Sequence, residues 1–160
     1  MHVADKTYPD AMGPIGPDLR FEQMESEFGL HLPCDYREVI ADFPLTGDGQ
    51  EPLLYEDLDT VIGINRKNRE EGFRGCPWPA NLFVIGGNAS GDLYFLDLGR
   101  EVSPVFAVTH EMDGFDPDTI DRLVQSASFR QWVEELSLGQ DWFREVLARR
   151  SRKKWWQFWI

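Results

Sequence analysis

The sequence predicts an α+β domain, a mostly antiparallel sheet with a central meander and helices packed over it. Three observations predict it. Residues 82–98, LFVIGGNASGDLYFLDL, set two β-forming runs, Leu82–Ile85 and Leu93–Leu96, on either side of a glycine-rich connection, which is a hairpin signal. A third β-forming run, Pro104–Thr109, follows one short turn later, and consecutive strands with short connections pair as an antiparallel meander. On both sides of this block the apolar residues recur at helical spacing instead.

Taken in order, residues 1–17 hold three prolines and two glycines without periodicity and read as an arm. From Asp18, taken as a cap, Phe21, Met24 and Phe28 share one helical face, and Gly29 stops the helix. Pro33 suits a first helical position, and Tyr36, Ile40 and Phe43 then form the inner face of a second helix that Pro44 ends. Residues 46–50 are a loop and Pro52–Tyr55 a short strand. Asp57 or Asp59 then caps a third helix whose inner face is Leu58, Val61, Ile62 and Asn65. Residues 66–79, charged and then rich in breakers, read as a loop leading to the hairpin. Both hairpin runs read as central strands. Gly86, Gly87, Asn88, Ser90 and Gly91 supply the turn, since glycine and asparagine reach positive φ at little cost. After the third strand, residues 110–118 are an acidic loop and Thr119–Val124 a helical turn. Ser128 caps a helix with Phe129, Trp132, Val133 and Leu136 on one side, Gly139 closes it, and residues 141–148 continue as a last helix.

At 160 residues, 42% of them hydrophobic, the chain fits one cored domain, placed at 18–148, followed by a tail at 149–160. Its longest apolar runs are far short of the roughly 20 residues that span a bilayer. The N-terminal stretch lacks the basic start and apolar core of a secretion signal, so a cytoplasmic location is expected. Cys34 and Cys76 make no disulfide framework and are expected free and half-buried.

The formal charge is −12, which argues against nucleic acid as a partner of the body. Its distribution says more. Arg149, Arg150, Arg152, Lys153 and Lys154 give the tail +5 with no acid, so the remaining residues carry 28 acids against 11 bases. A body this acidic favours a basic partner through attraction at a distance. In the tail, Trp155, Trp156 and Trp159 stand beside the bases, a combination suited to a membrane interface, an acidic protein surface or single-stranded nucleic acid; self-packing on the acidic body or a dimer contact is weighed against a partner, a lipid surface and disorder.

Several weak motifs occur in one order. They are Glu27-Phe28-Gly29, Leu32-Pro33 with Tyr36, the helix near Leu58 and Ile62, and Leu82 to Gly86 leading to Gly91-Asp92 and the strand Leu93–Leu98. Pro104-Val105, His110-Glu111 and Ser128-Phe129 with Trp132 follow. In this order, over roughly residues 19–138, the chain resembles the SUKH superfamily, immunity proteins of bacterial toxin systems with relatives among fungal cell-wall regulators. The resemblance implies a helix-covered antiparallel sheet and a cytosolic protein that occludes a cognate toxin by direct binding, without catalysis. Two departures stand out: Pro44-Leu45-Thr46-Gly47-Asp48-Gly49 replaces the polar stretch common in relatives, and the basic aromatic tail is not a family feature. Relatives use varied surfaces, so the resemblance assigns no binding residue.

The residues offer little to an enzyme. GGNASG at 86–91 misses the G-x-G-x-x-G spacing and no helix follows it, and Ser90 is not in a G-x-S-x-G elbow. His31 and Cys34 form one H-x-x-C pair, but Cys76 and His110 lie at no zinc-site spacing. Asp113, Asp116 and Asp118 miss the calcium-loop pattern. Asp57 with Asp59 is one of many carboxylate pairs that 28 acids produce by chance. Asp92, beside Gly91, is expected to anchor the turn. No catalytic residue, cofactor or metal is therefore expected, and a hydrolase using a carboxylate pair is the least favoured class. The expected function is toxin neutralisation by an acidic surface comprising Glu56, Asp57, Asp59, Glu111, Asp113, Asp116 and Asp118. A regulatory scaffold binding cellular proteins is the alternative.

Overall fold

The computed structural model describes residues 17–42, 54–55 and 57–136. Three helices come first: α1 (Pro17–Phe28), α2 (Cys34–Asp42) and α3 (Leu58–Glu71). Strands β1 (Leu82–Gly87), β2 (Leu93–Asp97) and β3 (Val105–Val108) follow. A 3-10 helix (Pro117–Leu123), β4 (Val124–Ser126) and α4 (Phe129–Leu136) complete the described part. The sheet has the order β1-β2-β3-β4 with every neighbouring pair antiparallel, so the expected meander is present and one strand longer.

Alternation along the strands splits the core between the two faces of the sheet. Phe83, Ile85, Leu96 and Val105 face α1, α2, α3 and α4 through Phe21, Met24, Tyr36, Ile40, Val61, Ile62, Phe129 and Trp132. Leu82, Val84, Leu93, Phe95, Phe106 and Val108 face the other way, onto Phe73, Trp78, Phe115 and Ile120. Here loops and the 3-10 helix cover the sheet, with the Trp78 ring 5.1 Å from Phe95 and 5.2 Å from Phe115. Burial on both faces is why Leu82–Ile85 is apolar throughout.

The expectation that both hairpin runs are central strands fails for β1, which is one of the two outer strands of the four. Its free side is closed by other means. The Val84 N–H donates to Asn65 Oδ1 (2.8 Å), and Asn65 Nδ2 donates back to the Val84 carbonyl (2.8 Å). The Leu82 N–H donates to the Pro79 carbonyl (3.1 Å) and the Trp78 indole N–H to the Leu82 carbonyl (3.0 Å). The Tyr55 N–H donates to the Ile85 carbonyl (3.0 Å), beside an isolated bridge from Leu54 to Gly86. Such closure keeps the strand from templating another chain.

Other boundaries move for local reasons. Pro17 opens α1, so Asp18 lies in its first turn. α2 begins at Cys34, with Pro33 just outside accepting from the Arg37 N–H (3.1 Å). Residues 66–71 continue α3, because their charged residues include its solvated side while Asn68 stays buried; Gly72, at φ 74°, ends the helix. Gly86 and Gly87 remain in β1, paired with Tyr94 and Leu93 past a bulge, which shortens the turn to residues 88–92. The 3-10 helix matches the expected helical turn, and β4 takes residues assigned to no strand. Cys34 is exposed, not half-buried, and Cys76 is half-buried. The expected arm, the second helix's end at Phe43 and Pro44, the loop 46–50, residues 52–53, Glu56, the helix at 141–148 and the tail lie outside the described residues.

Candidate functional site

The acidic residues singled out from the sequence fall on two surfaces. At the start of α3, Asp57 is an N-cap that accepts from the Thr60 hydroxyl (2.6 Å) and from the backbone N–H groups of Thr60 (3.0 Å) and Asp59 (3.3 Å). These bonds, the Thr60 hydroxyl first, hold its carboxyl below the usual range, so it is charged at neutral pH. Asp59 is exposed and pairs with Arg20 of α1 (3.1 Å). Glu56 lies outside the described residues.

The second surface is the segment between β3 and the 3-10 helix. Glu111, Asp113, Asp116 and Asp118 are exposed there. Asp116 is also an N-cap, its carboxylate accepting from the Asp118 N–H (3.0 Å). Among the described residues no hydrogen bond or ion pair joins this group to Asp57 and Asp59. α3 packs along β1 whereas the 3-10 helix packs on β3, two strands away in the sheet.

A third feature is Asp92. It anchors the turn as expected: the Asp92 N–H donates to Asn88 Oδ1 (3.0 Å) and Asn88 Nδ2 donates to Asp92 Oδ2 (2.8 Å). It also reaches a residue that sequence reasoning left unattached. Asp92 Oδ1 accepts both the backbone N–H of His110 (2.7 Å) and the His110 ring at Nδ1 (2.7 Å). Led by that backbone N–H, these contacts pull the Asp92 carboxyl down to about 2. An ionised carboxylate only accepts, so the His110 Nδ1 carries the proton of this bond. The acidic segment is thereby tied at its first residue to the hairpin.

A pH dependence follows. Unfolded, Asp92 takes up its proton near 3.8; folded, only near 2, so between those values the unfolded chain binds more protons and stability falls as pH falls. Its contribution, about 1–2 kcal/mol after allowance for solvent screening, is present above about pH 4. Asp92→Asn is therefore expected to lower stability by that amount at pH 7. In urea titrations the gap from the natural chain should narrow from about pH 4 down to pH 2, and a constant gap would exclude this assignment.

The remaining candidates do not converge. The His31 ring is fully exposed beside Glu25, Cys34 is exposed at the start of α2, and Cys76 packs against Gly114. Among the described residues no group of three or more His, Cys, Asp or Glu side chains is placed to hold a metal. No helix among them is long and apolar enough to cross a membrane.

Residues 18–135 match the family model described as SMI1 / KNR4 family (SUKH-1). That span is most of the chain and includes every described element except the first residue of α1 and the last of α4. The chain belongs to the SUKH-1 family. No curated protein and no solved structure gives a significant match. The SUKH-1 assignment agrees with the helix-covered antiparallel sheet and with the motif order Gly91-Asp92, Pro104-Val105 and His110-Glu111. In this SUKH-1 chain, Asp92 and His110 are now joined by a direct bond.

Proposed function

We propose that this protein is a cytosolic immunity-type binding protein that neutralises a cognate, basic bacterial toxin by direct contact and without turnover. The observation that carries the proposal is SUKH-1 membership over residues 18–135. The charge supports the sign of the partner: attraction at a distance raises encounter rates between an acidic body and a basic protein. The proposed contacts are Glu56, Asp57, Asp59, Glu111, Asp113, Asp116 and Asp118. In the tail, Trp155, Trp156 and Trp159 are proposed to pack on this chain's own acidic body or on a second copy.

The test is co-expression with the product of the adjacent reading frame. A 1:1 complex that suppresses that product's toxicity is the expected result, with an association rate that falls about tenfold or more from about 0.05 M to 0.5 M salt. An adjacent product that neither binds nor harms the host sinks the toxin reading. The family description SMI1 / KNR4 also fits a regulatory scaffold, which shares binding without turnover and differs in having a cellular protein as partner.

A further inference from the structure

The carboxylates of this chain differ in what neutralises them. On the α1 and α3 side Glu25 pairs with Arg37, Glu27 with Arg66 and Asp59 with Arg20. Between β3 and β4, Glu111, Asp113, Asp116 and Asp118 are exposed, and among the described residues none of the four has an ion-pair partner. The 3-10 helix leads from these acids straight into β4, and at about 2 Å per residue it sets Val124 roughly 12 Å from Asp118. β4 is the open edge of the sheet. The outer side of β1 is closed by Asn65, Trp78, Pro79 and Tyr55, whereas among the described residues no backbone group outside the sheet bonds to residues 124–126. Of the large apolar side chains exposed among the described residues, Val124 alone lies on a strand.

We propose that this edge is covered by the chain's own residues 149–160, with the bases on Glu111, Asp113, Asp116 and Asp118 and the tryptophan rings over Val124. Charge selects the occupant. The tail carries Arg149, Arg150, Arg152, Lys153 and Lys154 with no acid, and the acids on the α1 and α3 side already hold arginines. Connectivity selects it again. α4 packs on β4, so the chain that continues past Leu136 starts beside this edge, and residues 137–148 span up to about 40 Å before Arg149. A tethered segment acts at an effective concentration of about millimolar, an advantage that the same tail on a second copy lacks. The consequence rests on the basic partner proposed above: the tail stands where that partner would, and binding has to displace it.

The experiment treats the full chain, dilute, with a carbodiimide, which joins a lysine amine to a carboxylate in direct contact, and maps the linked peptides by mass spectrometry. Expected are links from Lys153 or Lys154 to residues 111–118 within one chain, lost in the double variant Asp113→Lys with Asp118→Lys. Both positions are exposed, so that variant folds. Links from these lysines to acids elsewhere, links only between two chains, or none would overturn the docking, whether or not a partner binds. The shielding is read by titrating the adjacent-frame product against Lys153→Glu with Lys154→Glu. This variant should bind about fivefold tighter than the control Lys6→Glu with Lys67→Glu, which makes the same change of charge outside the tail. Equal affinity of the two would overturn the shielding. No binding by any chain would sink the immunity reading, and the intrachain links would still stand as evidence for the docking.

Discussion

Truncation of Trp132 to alanine is expected to cost about 3–5 kcal/mol, the range for a buried aromatic that leaves a cavity. Trp132 is 2% exposed and is among the largest fully enclosed side chains. Its ring lies 5.0 Å from Tyr94 of β2 and 6.5 Å from Phe129 one turn earlier. The eight described residues of α4 are too few to persist alone, so their hold on the sheet depends on Phe129, Trp132 and Val133. The measurement is equilibrium unfolding in guanidinium. Trp132→Phe, which keeps an aromatic ring, should recover more than half of the loss. Equal losses for phenylalanine and alanine would show that packing at this position is not what holds the helix.

How much of this was legible in the sequence depends on how far apart the interacting residues lie. β1, β2 and β3 were readable because burial on both faces leaves unbroken apolar runs such as Leu82–Ile85, and α4 because Phe129, Trp132 and Val133 repeat at helical spacing. The second half of α3 was not. Asn65 and Asn68 are buried polar residues on its inner side, so the apolar period that marks a helix breaks where the helix continues. β4 was hidden for the opposite reason, since a three-residue strand with two exposed positions has no pattern to read. Among the candidate site residues, the capping roles of Asp57 and Asp116 are local and follow from spacing. The Asp92 to His110 bond joins residues eighteen apart and requires the hairpin and β3 to be in register first.

Asn65→Ala is expected to destabilise the chain by about 2–4 kcal/mol, although it removes only a small polar side chain. The reason lies in what is left behind. Asn65 is 0% exposed and satisfies both the N–H and the carbonyl of Val84, itself fully buried on the outer strand of the sheet. Alanine leaves both backbone groups unpaired away from water, and each such loss carries a desolvation penalty of about 1–3 kcal/mol. Two further variants separate hydrogen bonding from packing. Asn65→Asp keeps an acceptor for the Val84 N–H but buries a charge against the Val84 carbonyl, so it should be tolerated better at low pH, where the carboxyl is protonated and donates in place of Nδ2. Asn65→Leu fills the volume, meets neither backbone group and should destabilise about as much as alanine. Native-state hydrogen exchange at the Val84 amide supplies the local readout: protection should drop in Asn65→Ala by more than at the Phe95 amide on β2. Equal drops at the two amides would mean that the α3 contact stabilises the sheet as a whole and does not specifically seal its outer strand.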